Sequence, residues 1–159
     1  VSPRRTGVIA IVVAILADQA SKQVALASFS AADPIRVLPV FDLTLAWNRG
    51  VSFGMFGGGD VSPLVFFAIA LAICAFLAWQ MAKSETALLA AGYGLIVGGA
   101  LGNALDRLIH GAVVDFLSVH WRGWAFPVFN IADAAITLGV ILVIIDSLWP
   151  KRASTTSSE

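Results

Sequence analysis

The chain has 159 residues, 58% hydrophobic and only 13% charged, and its mean hydropathy of +0.87 is far above what a water-soluble globule carries. Ten basic side chains balance ten acidic ones, so no cationic excess can neutralise a phosphate backbone, and nucleic acid is not expected as a partner. The single cysteine, Cys74, lies among apolar neighbours and reads as packing.

A membrane crossing needs about 20 apolar residues. Four stretches meet that length: 7–27, 63–82, 87–108 and 131–149. The first follows Arg4 and Arg5 as a secretory leader would, but it lacks a suitable small-residue cleavage site and contains Asp18 and Lys22, so it reads as a retained helix. Arg4 and Arg5, Lys83 between the second and third spans, and Lys151 and Arg152 after the fourth all fall on one side, which the positive-inside rule makes cytoplasmic. Both termini are then cytoplasmic, and the segments 28–62 and 109–130 face outward. Both are longer than a turn requires, as functional connections are.

Within the first outer segment, Ile35 to Trp47 reads as strand, followed by an apolar ridge at Val51, Phe53, Met55 and Phe56 suited to the membrane interface and a flexible break at Gly57 to Gly59. The Ser- and Thr-rich 153–159 reads as a disordered cytoplasmic tail.

Polar residues inside apolar spans carry the chemical information, because hydrocarbon rejects them unless they face the bundle interior. Asp18 and Lys22 stand four apart on one helical face and can neutralise each other. In the third span, Ala90, Gly94, Gly98 and Gly102 form a small-residue ridge for close helix packing. The ridge leads into Asn103, Asp106 and Arg107, where the acid and the arginine can pair.

Asp115, within Val113-Val114-Asp115-Phe116, and Asp133, in the first turn of the fourth span, reach the membrane on the same outer side. Two carboxylates held together share a proton and can act as base and acid on a water and a carbonyl, which hydrolyses a peptide without a metal. Spacing alone leaves other readings open: Asp133 as no more than a cap of its helix, Asp115 as the partner of Arg107 or Arg122, and Asp18, Asp106, Asp115 and Asp133 as an ion-conducting relay. Ser118 with His120 has no oxyanion motif around it, and His110, Asp115 and His120 lack metal-ligand spacing.

Five ordered blocks resemble the lipoprotein signal peptidases, the aspartyl signal peptidases of type II: Asp18-x-x-Ser21-Lys22, Asn48-Arg49-Gly50-Val51-Ser52-Phe53-Gly54, Gly98 to Arg107, Gly111 to Phe116, and Phe129 to Asp133. The resemblance implies an all-α membrane protein of four transmembrane helices, with a small extracytoplasmic β-cradle and an interfacial helix. Residues 1–152 would then be one integral membrane peptidase domain in the bacterial inner membrane. It implies that Asp115 and Asp133 are catalytic, that Asn48, Gly50, Asn103, Arg107 and Asn130 bind substrate, and that Asp18, Lys22 and Asp106 support the site. The implied substrate is a diacylglyceryl-modified prolipoprotein, taken from among membrane lipids by a monomer that needs no cofactor and no metal.

Overall fold

The computed structural model describes residues 2–49 and 63–148, the side chains of 63, 64 and 66 excepted. Gly50, the ridge at Val51, Phe53, Met55 and Phe56, the glycine run 57–59, Trp149 and the tail 153–159 lie outside the described residues. In chain order the elements are α1 (Pro3–Ser28), β1 (Ile35–Leu38), β2 (Phe41–Asn48), α2 (Pro63–Ala82), α3 (Ala87–His110), β3 (Val113–Trp121), β4 (Trp124–Ala125) and α4 (Ile131–Leu148).

Capping, rather than hydropathy, sets the helix ends. α1 begins four residues before its apolar run because the Ser2 side chain accepts from the Arg5 amide and Pro3 occupies the first turn. α3 is started by Thr86, whose side chain accepts from the Leu89 amide. It runs on to His110 and stops at Gly111, which takes the left-handed φ of 70° and donates to the Arg107 carbonyl. Among the described residues, α1, α3 and α4 are long and apolar enough to cross a membrane, and Phe67–Ala82 of α2 is a shorter apolar helix. Large apolar side chains such as Val12, Leu16, Ile141 and Ile144 are exposed on the bundle's outside, a surface suited to lipid and costly in water.

α3 is the central helix and packs against α1, α4 and α2. Its small-residue ridge faces α1: a side chain at Gly94 would collide with the Gly7 carbonyl, so these two backbones touch. A second small face, absent from the sequence reading, meets α4. There a Cβ at Gly99 would lie 2.5 Å from the Ala132 carbonyl oxygen.

The expected single strand over 35–47 is instead two strands folded at Pro39 and Val40, with Leu38 opposite Phe41. Proline removes an amide from the ladder and favours the reversal. The second outer segment adds two more strands, which gives an antiparallel sheet in the order β1-β2-β3-β4. β2 and β3 pair from Phe41 opposite Val119 to Asn48 opposite Val113, with an irregularity between Leu43 and Ala46 that sets Ala46 opposite Asp115. Asp115 and Asn48 therefore come together through strand pairing.

Candidate active site

Where α1, α3, α4 and β3 converge, polar side chains fill the interior. Asp18, Lys22, Asp106, Asp115 and Asn130 are all essentially inaccessible. The Lys22 ammonium lies 2.8 Å from Asp18 Oδ2 and 2.8 Å from Asp106 Oδ2, and it donates at 3.0 Å to Asn103 Oδ1. All three of its protons are thereby used. Asp18 spends its other oxygen, Oδ1, on the Ala132 amide at 3.0 Å, placing a carboxylate at the positive N-terminus of α4. Asp106 accepts the Val114 amide at 3.0 Å and so pins the start of β3. Gln19 donates at 3.1 Å to both Asp18 and Asp106.

This arrangement corrects one expectation: Asp106 pairs with Lys22, whereas Arg107 turns back to donate to the Asn103 carbonyl of its own helix at 3.2 Å. A buried carboxylate takes the cation that is buried with it, and Arg107 sits at the more exposed end of the helix.

Asn103 and Asn130 connect this ion cluster to the two remaining acids. Asn103 Nδ2 donates to Asp133 Oδ1 at 2.8 Å. Asn130 Nδ2 donates to Asp115 Oδ1 at 2.7 Å and also lies near Asn103 Oδ1 and the Val114 carbonyl. Asn130 and Asp133 cap α4 reciprocally: the Asp133 amide donates to Asn130 Oδ1 at 3.0 Å, and the Asn130 amide to Asp133 Oδ2 at 3.2 Å. Asp133 therefore does cap its helix, as one of the open readings had it, while its second oxygen is turned toward Asn103.

Asp115 makes no described ion pair with Arg107 or Arg122. Its carboxylate is held by Asn130 and by Asn48. Burial pushes the Asp115 carboxyl up to about 6, aided by the charge of Asp133 and opposed by the hydrogen bonds from Asn48 and Asn130 and by the Lys22 charge. Beside the pair, a groove of about 640 Å³ runs past Asn48 and Asp133 between Phe126–Phe129 and the α4 side chains Thr137, Leu138 and Ile141.

The other constellations separate. His120 lies against Asp42 at 2.9 Å and His110 against the Trp47 ring. Among the described residues no cluster of His, Cys, Asp and Glu has metal-binding form. The four acids of the relay reading gather at one end of the bundle, and Asp146, bonded to Thr86, is about 20 Å further along α4.

The model of the signal peptidase (SPase) II family matches residues 10–149. The chain belongs to the signal peptidase II family. Lipoprotein signal peptidases of Nitrobacter hamburgensis and Rhodopseudomonas palustris are 45% and 47% identical to it, over 96% and 92% of this chain and 98% and 94% of their own length. A bacterial membrane enzyme solved by the in meso method at 1.9 Å resolution shares the fold, with a TM-score of 0.80 at 32% identity, covering 92% of this chain and 94% of that one.

The molecule is thus a bacterial membrane protease of the signal peptidase II family. Of the residues singled out in its sequence, the structure brings together Asp18, Lys22, Asn48, Asn103, Asp106, Asp115, Asn130 and Asp133. Arg107 stays on the α3 face outside this network, and Gly50 is not among the described residues. Gln19 was missed, although its amide in an apolar span is the same signal that marks its neighbour Asp18.

Proposed function

We propose that the chain removes the signal peptide from diacylglyceryl-modified prolipoproteins, cleaving N-terminal to the lipid-bearing cysteine, with Asp115 and Asp133 as the catalytic pair. The observation that carries this reading is the meeting of the two carboxylates through Asn103 and Asn130 beside an apolar groove, with the carboxyl of Asp115 pushed up to about 6. The names of the lipoprotein signal peptidases at 45% and 47% identity support the substrate class.

In this mechanism Asp133, on the groove wall, accepts a proton from a water whose oxygen attacks the scissile carbonyl carbon. Asp115, which retains a proton to higher pH than an ordinary carboxylate, donates it to the carbonyl oxygen. On collapse the roles exchange: the C–N bond breaks and the leaving amine takes the proton held by Asp133. Asn48 and Asn130 orient Asp115, and Asn103 orients Asp133 and relays the position of Lys22. Arg107 and Gly50 complete the substrate-binding set carried over from the family motif. The two carboxylates supply both acid and base, so the reading assigns no cofactor. It also places four spans in the inner membrane, with the site on the periplasmic side, and a single chain acting alone among membrane lipids.

Purified protein in detergent should convert a diacylglyceryl prolipoprotein to a product beginning at the lipidated cysteine, read by mass spectrometry. Asp115→Asn and Asp133→Asn should each lower kcat by about 10³-fold or more, with the double variant little worse, because groups acting as a unit are not additive. Substantial turnover by either folded single variant overturns the assignment.

A further inference from the structure

The distal tip of the sheet, the β1–β2 turn and Trp121 to Trp124, takes no part in the site described above, although Phe126 next to it lines the groove beside that site. The β1–β2 turn and the β3–β4 turn lie side by side there, joined by the His120 amide donating to the Val40 carbonyl at 2.9 Å. Trp121 and Trp124, flanking Arg122 and Gly123, are 65% and 62% exposed, and Phe126, Leu38 and Val40 are 48%, 55% and 41% exposed. Trp121 and Trp124 face each other across the strand pair and Phe126 stacks against Trp124, an exposed aromatic cluster of the kind that marks an interaction surface. The backbone is shaped for the purpose: Arg122 holds a φ of 47° and Gly123 one of 84°, a tight reversal that sets both indoles at the end of the hairpin.

Position indicates what covers the patch. Leu117 bridges Phe129, two residues before α4, and Trp121 lies four strand steps further on, about 13 Å at the usual rise. A helix with its side chains extends only about 5–6 Å from its axis. A β3 strand that lies along the bilayer and runs outward from α4 carries the tip over lipid. Standing upright, it would hold two indoles in water. From Trp124 a line of rings leads back through Phe126, at 6.0 Å between centroids, to Phe129, at 5.8 Å, two residues before α4 begins.

Charge selects the occupant. Residues 36–42 and 117–126 carry Arg36, Asp42, His120 and Arg122. Asp42 is mostly covered and engaged by both Arg36 at 3.6 Å and His120 at 2.9 Å; Arg36, although its side chain is 73% exposed, is thereby paired, which leaves Arg122 as the outward charge with no carboxylate partner among the described residues. A second copy docking on the same patch would oppose arginine to arginine, whereas an anionic phospholipid offers a phosphate to Arg122 and an apolar layer to the indoles.

We propose that the Trp121–Trp124 hairpin is an interfacial anchor that binds anionic phospholipid headgroups and fixes the depth of β3, the strand that carries Asp115. The test is Trp fluorescence of the native protein and of the Trp121→Phe/Trp124→Phe variant in phosphatidylcholine vesicles with and without phosphatidylglycerol. Both changes are at exposed aromatic positions and spare the fold. The difference emission, which belongs to the two hairpin indoles, should be quenched at least about twofold more by lipid brominated near the glycerol end of its chains than near the methyl end. Phosphatidylglycerol should strengthen that quenching, and Arg122→Gln should abolish the dependence on it. Absence of quenching, stronger quenching by the deep bromines, indifference to phosphatidylglycerol, or a change with protein-to-lipid ratio that marks self-association would each overturn the proposal.

Discussion

Asp115 is costly to ionise where it stands, and the sign of its effect on stability follows from that. Its carboxyl titrates near the ordinary 3.8 in the unfolded chain and about 6 in the folded one. Between those values the folded protein binds more protons than the unfolded, so stability falls as pH rises through that window and is not regained above it. At about 1.4 kcal/mol per unit the loss amounts to roughly 3 kcal/mol. Thermal unfolding in detergent from pH 4 to 7 should show this decline for the native protein relative to Asp115→Asn, which has no proton to lose there. Parallel pH curves for the two would refute the buried-carboxyl account. Lys22 tests the other half of the cluster. Lys22→Met leaves Asp18 and Asp106 facing each other without their cation, and it should cost about 3–5 kcal/mol of stability. A variant as stable as the native protein would show that the ion cluster does not hold the bundle together.

At the level of elements, α3 joins the molecule through two glycine faces, and the second is the more consequential for the site. Gly99 lets the backbone of α4 approach at Ala132, the residue whose amide reaches Asp18. Gly99→Leu should drive the start of α4 away, lowering stability by about 1–3 kcal/mol as overpacking does and reducing turnover by separating Asp133 from Asn103. An unchanged melting temperature would exclude a contact so tight. The ridge toward α1 was readable because its four small residues repeat at four-residue spacing on one helix. The face toward α4 was not, because it exists only once Gly139 and Ala132 are set opposite it. The strands show the same division. The β-branched and aromatic run 35–47 announced strand, but the Asn48–Asp115 juxtaposition depends on a register irregularity between Leu43 and Ala46, which no local pattern specifies. The candidate site was legible to the extent that apolar spans expel polar groups: Asp18, Lys22, Asn103 and Asp106 had to face inward. Which carboxylate takes the lysine is decided by packing, so Asp106 could not be assigned to Lys22 from its neighbours in the chain.

For the whole molecule, the expected orientation rests on where cations sit relative to the helices. Arg4 and Arg5 are in the first turn of α1, and Lys83 follows α2, its ammonium 3.5 Å over the Trp79 ring. The sheet, Asp115 and the start of α4 are grouped at the opposite end of the bundle. If α2 crosses as α1, α3 and α4 are long enough to do, the chain alternates direction at each helix. The cationic ends then share the cytoplasmic side, and the sheet and both acids share the outer one. The native Cys74 is only 5% exposed and lies mid-helix, which leaves the protein nearly silent to a membrane-impermeant thiol reagent. Single cysteines at Asp33, before β1, and at Lys83, between α2 and α3, should therefore report opposite sides: Asp33→Cys labelled from the periplasmic face of intact cells, Lys83→Cys only after the membrane is opened. Labelling of both from the same side would mean that α2 does not cross. With α3 crossing, β2 and β3 would then fall on opposite sides of the membrane, against their pairing in one sheet, and a periplasmic site that joins Asn48 to Asp115 would be untenable.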